Sequence, residues 1–360
     1  MKKKIALLTG GGDCPGLNGV IRAVSKKAIL DYDMEVIGVE DGYQGMIENR
    51  VRPLDFEAVS GILTLGGTIL GTNNKAHPYK YIAPADKDAQ PRDVSAQAIE
   101  NMKRLGVDCL VCIGGDGTLK IAHCLCQDGL PIVGVPKTID NDIRGTEVTF
   151  GFDTAVEIAT DGIDRLHTTA QSHHRVMILE VMGRTAGWIA LHSGIAGGGD
   201  IILIPEIPFD MDVIAQRVKD RSHKGKRFSI IVVAEGAKPK GGKVTVKKIV
   251  KDASEPVRLG GIGFSLADDI EGMTGLECRA VVMGHLQRGG SPSAYDRVLA
   301  TELGTRVVDM ITEKKYGHMV GIQGGRMVDV PLEEVAEGPR LIPTDHPLIA
   351  AARSVGTCFG

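Results

Sequence analysis

The sequence is poor in aromatic residues, which make up 4% of its 360 residues and include a single tryptophan. No apolar run reaches about 18 residues, so no segment is predicted to cross a membrane. The net charge is only −3, and basic residues are not interleaved with aromatic ones, which argues against nucleic-acid or membrane-surface binding. Met1 and its lysines lead into a short strand pattern, not into a secretory signal.

The cysteines also lack the patterns that disulfides or zinc require. There are seven, an odd number, and most lie in apolar strand or helix patterns. Cys109 and Cys112 form a C-x-x-C, but it lies inside a strand pattern and no second pair follows at zinc spacing. We therefore expect buried free thiols and a cytoplasmic protein, long enough for two domains.

What the sequence does contain is a set of polar, glycine-rich loops, each directly after an apolar strand pattern. The carboxyl ends of parallel strands meet at one edge of a sheet, where open α/β proteins bind ligands. These loops are therefore expected to form one site. The three strand-and-loop pairs are 5–9 with 10–18, 108–113 with 114–118, and 129–135 with 136–142.

The loop Pro-Lys-Thr-Ile-Asp-Asn-Asp at 136–142 places Asp140 and Asp142 one residue apart, beside Lys137 and Thr138. Such crowding of like charges is costly unless a metal, a cation or a proton to be moved justifies it. The alternative is an Asp/Asn turn with a capping role only.

The loop Gly-Gly-Asp-Gly-Thr at 114–118 suits a phosphate. Its glycines let backbone N–H groups approach an anion, and a helix opening near Thr118 would favour negative charge at its N-terminus. Asp116 is well placed for Mg²⁺, which prefers one or two carboxylates together with phosphate oxygens.

The remaining chain alternates strand and helix patterns, which predicts an α/β fold with parallel sheets. A polar surface segment is predicted at 76–92 and a solvated, lysine-rich hairpin with Gly241 and Gly242 at its centre at 238–251. Predicted helices are 19–30, 94–105, 155–169 and 185–193, and further predicted strands are 35–39, 175–181, 201–204 and 229–234.

Five motifs in this order resemble the 6-phosphofructokinase family: 11–18, 114–117, 136–142, 182–184 and 284–290. The resemblance spans about residues 4–330 and implies two Rossmann-like three-layer domains with mainly parallel sheets, facing each other. The chain would cross between them more than once. Residues 1–150 and 287–338 would bind ATP and Mg²⁺, and 151–286 with 339–360 would bind fructose 6-phosphate, usually in a homotetramer with shared sites.

The implied reaction is the glycolytic phosphorylation of the 1-hydroxyl of fructose 6-phosphate by ATP. Asp140 would be the general base, Asp142 would help orient it, and Thr138 would hydrogen-bond the sugar or the moving phosphoryl group. Arg184 would stabilise the charge developing on that group. Asp116 would hold Mg²⁺.

The resemblance also implies two sets of binding residues. Arg175 and Arg279 correspond to arginines lent across a subunit boundary to the sugar's 6-phosphate, for which guanidinium forks are suited. Trp188, one turn beyond Arg184, is predicted to lie in the core. The donor would contact Gly12, Tyr43, Lys75, Gly115, Asp116, Gly117, Thr118 and Lys137. The sugar phosphate would contact Thr138, Asp140, Arg175, Met182, Gly183, Arg184, Glu235, Arg279, His285 and Arg288.

Two positions disagree about the phosphoryl donor. Pyrophosphate-using members carry an aspartate where this chain has Gly117, which leaves room for the α-phosphate of ATP. They also carry a lysine where this chain has Lys137. Because a carboxylate opposes an α-phosphate directly, Gly117 is the stronger indicator and ATP is favoured, with pyrophosphate as the alternative. Lys75 stands near the position of a usual arginine, without its bidentate fork.

Three further questions stay open. Arg22 and Lys26 match effector-site cations of compact bacterial members, and helix-surface charge explains them equally well. The 114–118 loop alone also resembles NAD and diacylglycerol kinases, but that alternative does not explain 136–142 or 284–290. A non-catalytic sugar-phosphate sensor is the last alternative, although Asp116 and Asp140 are both present.

Overall fold

A computed structural model describes residues 2–83, 90–249 and 257–360. Its strands are β1 Lys4–Thr9, β2 Glu35–Val39, β3 Val51–Pro53, β4 Cys109–Gly114, β5 Ile132–Pro136, β6 Val176–Val181, β7 Ile201–Leu203, β8 Ser229–Ala234, β9 Val246–Ile249, β10 Val257–Leu259, β11 Cys278–Val282, β12 His318–Gln323 and β13 Arg326–Pro331.

The helices separate most of these strands along the chain, as the alternating pattern predicts. They are α1 Leu17–Tyr32, α2 Tyr43–Glu48, α3 Ser95–Arg104, α4 Asp116–Gln127, α5 Phe152–His173, α6 Trp188–Ala196, α7 Met211–His223, α8 Ile262–Thr274, α9 Ala294–Thr312, α10 Leu332–Ala336 and α11 Pro347–Ser354, with 3₁₀ turns at Pro78–Lys80 and Gly284–Arg288.

The larger sheet has seven strands in the order β13-β12-β5-β4-β1-β2-β3. The inner strands pair in parallel, and the edge strands β3 and β13 are antiparallel to their neighbours. Both faces of this sheet are buried, as strand β1 shows. Ile5 and Leu7 join the core on one face, and Ala6 and Leu8 join the core on the other. Strands buried on both faces read as continuous apolar runs.

The smaller sheet has four parallel strands in the order β11-β6-β8-β7. Helices α7 and α8 cover one face, while α5 and α6 cover the other. The core on the α5 side continues to α1 and α9 of the larger sheet, so the two units share one apolar core. The predicted pair of three-layer α/β units with mainly parallel sheets is confirmed.

Three local predictions need correction. The helix predicted at 185–193 begins only at Trp188, because residues 183–186 form a separate turn in which the N–H of Ala186 donates to the carbonyl of Gly183 at 2.9 Å. The segment 76–92 is not wholly a surface excursion, since Pro78 is buried and Tyr81 is buried in the core of the larger sheet. Its residues 84–89 lie outside the described residues.

The third correction concerns the lysine-rich hairpin. Strand β9 pairs antiparallel with β10. Gly241 and Gly242 therefore precede the paired strand β9, whereas they were predicted to form the centre of the hairpin. Residues 250 and 251 of the predicted segment lie outside the described residues.

All seven cysteines are free thiols, and Cys14, Cys109, Cys112 and Cys278 are buried, as expected. The other three depart from that expectation, because Cys124 is exposed on α4 and Cys126 and Cys358 are only partly buried. Within the ranges that the structure describes, no helix is both long and apolar enough to span a bilayer. Trp188 is buried in the core, as predicted.

Candidate active site

The loops after β1 and β4 meet at the carboxyl edge of the larger sheet. The backbone N–H of Gly10 donates to the carbonyl of Ile113 at 3.0 Å. Thr118 packs so tightly between the loops that a Cβ at Gly10 would lie 2.7 Å from it, and one at Gly114 would lie 2.3 Å from it. Glycine at both positions therefore allows the two loops to close around the start of α4.

Helix α4 begins at Asp116, after Gly115, and presents its N-terminus to this edge. Among the residues that the structure describes, a Cβ built on Gly117 meets no atom within 4 Å, so the space beside it is open to that extent. Exposed N–H groups and the helix dipole make such a terminus suitable for phosphate.

Tyr43, expected among the donor contacts, lies beneath this helix start. Its ring is buried, and its hydroxyl donates to the carbonyl of Thr118 at 2.8 Å. The structure therefore places Tyr43 where it supports the first turn of α4.

Asp140 and Asp142 follow β5 and are both buried. Thr138 Oγ1 accepts a hydrogen bond from the backbone N–H of Asp140 at 3.0 Å. Asp140 Oδ1 and Asp142 Oδ2 have no hydrogen-bond partner among the described residues. Buried carboxylate oxygens are rarely left unpartnered, because such burial is costly unless a proton, a cation or a substrate group pairs with them.

The surroundings of Asp142 favour its protonated form. Burial raises the pKa of Asp142 to about 7, and the carboxylates of Asp140 and Asp116 act in the same direction. The guanidinium of Arg184 opposes them. Carboxyl groups whose environments shift their pKa this far are typical of active sites.

Lys137 is buried beside this pair. Burial lowers the pKa of Lys137. Its ammonium donates to the carbonyl of Gly12, and its backbone N–H donates to the carbonyl of Gly114 at 3.0 Å. Lys137 thus ties three loops of the sheet edge together.

Arg184 belongs to the smaller unit and lies at this edge of the larger sheet. It follows β6, and its guanidinium lies 3.6 Å from Asp116 Oδ1. Its backbone N–H donates to Glu235 Oε1 at 3.1 Å. The preceding Gly183 could not carry a side chain, because a Cβ would lie 2.5 Å from the carbonyl oxygen of Ala186.

Glu235 follows β8, and it lies next to Arg184. Burial, together with the carboxylate of Asp140, raises the pKa of Glu235 to about 7. Carboxyl groups of the larger and the smaller unit therefore influence each other electrostatically.

The 3₁₀ turn after β11 completes the group. Arg288 donates to the carbonyl of Asp13 at 3.1 Å, and a Cβ on Gly12 would lie 2.9 Å from its guanidinium. His285 is exposed on the same turn. Met182 is held there as well, because its N–H donates to the buried Gln287 Oε1 at 2.8 Å.

Arg175 and Arg279 are not brought to this group within one chain. Arg175 precedes β6 and Arg279 lies at the start of β11, so both are at the amino edge of the smaller sheet. A strand of six residues separates the two edges by about 20 Å. Both arginines instead pair with Glu277.

Lys75 is exposed on a loop that is anchored nearby. Its N–H donates to Asn73 Oδ1 at 2.7 Å, and Thr72 Oγ1 donates to the carbonyl of Gly11 at 2.6 Å. The loop is thus attached to the 10–18 loop, while the Lys75 side chain faces solvent.

Gln287 and Arg340 contact the site, and sequence reasoning did not select them. Arg340 donates to backbone carbonyls of the 140–147 loop. Gln287 stands inside the recognised 284–290 motif, which was the available signal. Arg340 lies outside every motif, so only the folded chain reveals its position.

The site fits Mg²⁺ as an ion shared with phosphates. Over the described ranges, no group of three His, Cys, Asp or Glu side chains could hold a metal ion. Asp116 nevertheless raises the pKa of Asp142, whose buried Oδ2 lacks a partner in the same ranges. A cation between a carboxylate and phosphate oxygens would relieve this repulsion.

Comparison with known proteins places the site in context. A family model described as phosphofructokinase matches residues 4–311. The chain is 53% identical to "ATP-dependent 6-phosphofructokinase 2" of Clostridium perfringens over 359 residues, covering 99% of this chain and 98% of that protein. It is 51% identical to "ATP-dependent 6-phosphofructokinase" of Spirochaeta thermophila, with the same coverage.

A solved structure of phosphofructokinase from Saccharomyces cerevisiae is similar in fold. It superposes with a TM-score of 0.77 at 32% identity and covers 93% of this chain. The match spans only 45% of that longer yeast chain.

Proposed function

This chain belongs to the phosphofructokinase family, and on that premise we propose that it transfers the terminal phosphoryl group of ATP to the 1-hydroxyl of fructose 6-phosphate. The products are fructose 1,6-bisphosphate and ADP, as in glycolysis. One observation carries the proposal: Arg184 of the smaller unit lies 3.6 Å from Asp116 of the larger unit. Arg184 also lies beside the buried pair Asp140 and Asp142, whose carboxyl groups interact electrostatically with residues of both units.

The two units divide the substrates. Residues 1–150 with 287–338 bind the donor, and residues 151–286 with 339–360 bind the sugar phosphate. The arrangement supports this division, since the helix N-terminus suited to phosphate belongs to the larger sheet and Glu235 follows a strand of the smaller one.

Asp140 acts as the general base. It takes the proton of the sugar's 1-hydroxyl as that oxygen bonds to the γ-phosphorus, and the bond from phosphorus to the ADP oxygen breaks. Its Oδ1, which has no hydrogen-bond partner within the described ranges, supports this role. Asp142 helps to orient Asp140. Thr138, whose Oγ1 accepts from the backbone N–H of Asp140, hydrogen-bonds the sugar or the transferring phosphoryl group.

Arg184 stabilises the charge that develops on the transferring phosphoryl group. The hydrogen bond from its backbone N–H to Glu235 holds the backbone of Arg184, and its guanidinium lies 3.6 Å from Asp116 Oδ1 of the other unit. A hydrogen-bond donor that is already in place before the reaction costs no reorganisation energy when the transition state forms.

Mg²⁺ would be held by Asp116 together with the phosphates of the donor, and Asp142 lies on the same side. When bound, Mg²⁺ would neutralise negative charge on the terminal phosphates. Gly115, Gly117 and Thr118 supply the helix start on which those phosphates rest.

The sugar phosphate is bound by groups at the carboxyl edge of the smaller sheet. Glu235 accepts hydrogen bonds from sugar hydroxyls, Met182 and Gly183 shape the wall, and His285 and Arg288 bind the 6-phosphate. Arg175 and Arg279 reach the same phosphate from a neighbouring subunit of a homotetramer. Their place about 20 Å from this chain's own site supports sharing between subunits.

ATP is the donor that the residues favour. The open space at Gly117 admits an α-phosphate, and Gly12 and Lys75 lie on loops joined at the same edge. Lys137 is held by the carbonyl of Gly12, so its presence is explained without pyrophosphate. The names of both relatives, which this chain matches over nearly their full length, support the same donor.

The direct test is a coupled assay of ADP release with fructose 6-phosphate, ATP and Mg²⁺, repeated with pyrophosphate as the donor. We expect a higher kcat/KM with ATP, and no turnover above background without Mg²⁺. Substrate-dependent turnover with a nicotinamide nucleotide or a diacylglycerol, and none with the sugar phosphate, would overturn the proposal. Sugar-phosphate binding without turnover would indicate a sensor.

We also propose a cytoplasmic location. All seven cysteines are free, which suits a reducing compartment.

A further inference from the structure

Arg340 lies between α10 and α11 and contacts the loop that carries the two aspartates. Its backbone N–H donates to the carbonyl of Asp142 at 2.7 Å. Its guanidinium Nη2 donates to the carbonyls of Asn141 at 2.8 Å and Glu147 at 2.9 Å. One residue therefore binds two consecutive carbonyls of the Asp-Asn-Asp sequence and the far side of its loop.

The bound loop has an unusual backbone. Asn141 has φ of 54°, in the left-handed region that non-glycine residues seldom adopt. Its side chain accepts from the N–H of Thr149 at 3.0 Å and donates to the carbonyl of Glu147 at 3.3 Å. Such a conformation persists only when its surroundings hold it, and Arg340 supplies part of that support.

The same arginine also contacts the unit that carries Arg184. The indole N–H of Trp188 donates to the carbonyl of Arg340 at 3.0 Å, and the guanidinium carbon lies 4.2 Å from the centre of the indole ring. Trp188 is the first residue of α6, four positions after Arg184. Burial lowers the pKa of Arg340 only to about 10, so the guanidinium stays charged at neutral pH.

We propose that Arg340 is a positioning residue for phosphoryl transfer. It holds the loop of Asp140 and Asp142 in a fixed position relative to Trp188 and the Arg184 loop. This inference rests on the proposed function. Phosphoryl transfer depends on in-line placement of base, sugar and donor. A displacement of about 1 Å at a reacting group can cost about 10²-fold in rate.

Arg340→Met and Arg340→Lys test the proposal. Methionine keeps an apolar chain over Trp188 but removes the donors, whereas lysine keeps the charge without the fork. We expect kcat to fall about 10²-fold for Met and less for Lys, with both KM values changed less than about threefold. Trp188→Phe keeps an aromatic ring, loses the indole donor, and is expected to show a smaller loss of the same kind.

The matched control is Arg144→Gln. Arg144 forms an ion pair at 3.3 Å with Glu337, so it joins the same two segments at an exposed position. Exposed pairs contribute little, so kcat should stay within about twofold of wild type. An equal loss in Arg144→Gln and Arg340→Met would overturn the proposal.

A double mutant separates positioning from general damage. In an Asp140→Asn background there is no base left to position, so adding Arg340→Met should cost less than about threefold. A further loss of about 10²-fold would mean that Arg340 does not act through this loop.

Amide hydrogen exchange provides a readout independent of turnover. Amides of residues 138–149 should exchange at least about tenfold faster in Arg340→Met than in wild type or Arg144→Gln. Unchanged protection would refute the structural basis of the proposal. If wild type lacked sugar kinase activity, the proposed function would fail while this measurement still decided the role of Arg340 in holding the loop.

Discussion

Replacing Gly117 with aspartate should convert an open donor site into one that repels ATP. A Cβ at this position would meet no atom of the described residues within 4 Å, and Gly117 is the second residue of α4. A carboxylate in the first turn of a helix is stabilised by about 0.3–1 kcal/mol. The variant is therefore expected to fold as well as wild type, so that any loss of activity reports on the donor.

The size of the effect follows from the charges. The new carboxylate would stand where the α-phosphate of ATP is expected, and two unit charges about 4 Å apart repel by about 4 kcal/mol at an effective dielectric of 20. This corresponds to about 10³-fold, since about 1.4 kcal/mol is tenfold. With partial screening by solvent and Mg²⁺ we expect kcat/KM for ATP to fall by about 10²- to 10³-fold.

The assay compares ATP and pyrophosphate as donors for wild type, Gly117→Asp, Gly117→Asn and Gly117→Ala. Asparagine has the size of aspartate without its charge, so it should lose less than about fivefold. An equal loss in the Asn and Asp variants would show that bulk, not charge, excludes ATP. ATP use by Gly117→Asp within threefold of wild type would refute the reasoning. A wild type that preferred pyrophosphate would show that Lys137 outweighs Gly117.

Three further predictions concern the base, the assembly and pH. Asp140→Asn should lower kcat by about 10²- to 10⁴-fold in the coupled assay, with the KM for fructose 6-phosphate nearly unchanged. Mixing Asp140→Asn with Arg279→Ala subunits should restore activity, because some mixed sites combine an intact base with an intact neighbouring arginine. Glu235→Gln should raise Tm at pH 8 and not near pH 4. The pKa of Glu235 is raised from 4.5 to about 7 in the folded state, so this carboxyl's contribution to stability is present at low pH and lost as the pH rises through 7, by up to about 3 kcal/mol.

Each of these predictions has a contrary result. A near-normal kcat in Asp140→Asn would remove the base from that position. Stable mixed oligomers without activity would argue against shared sites. An equal Tm change at both pH values in Glu235→Gln would show that the carboxyl's charge is not the cause.

The strands of the site were predictable because each is a short apolar run buried on both faces. Strands β1, β4 and β5 and the loops after them needed only that pattern, since a glycine-rich or acidic segment after such a run must lie at the sheet edge. Segments whose structure depends on distant contacts were less predictable. Tyr81 lies in a polar stretch, yet it is buried against the core.

The sequence by itself determined the fold class and the family, because periodicity and motif spacing are local properties of the chain. Which groups meet was decided only by the tertiary structure. Asp116 and Arg184 are 68 residues apart in sequence and 3.6 Å apart in space, and Arg340 lies almost 200 residues after the loop it binds. Such contacts depend on how two sheets share one core, and no local pattern of residues encodes that distance.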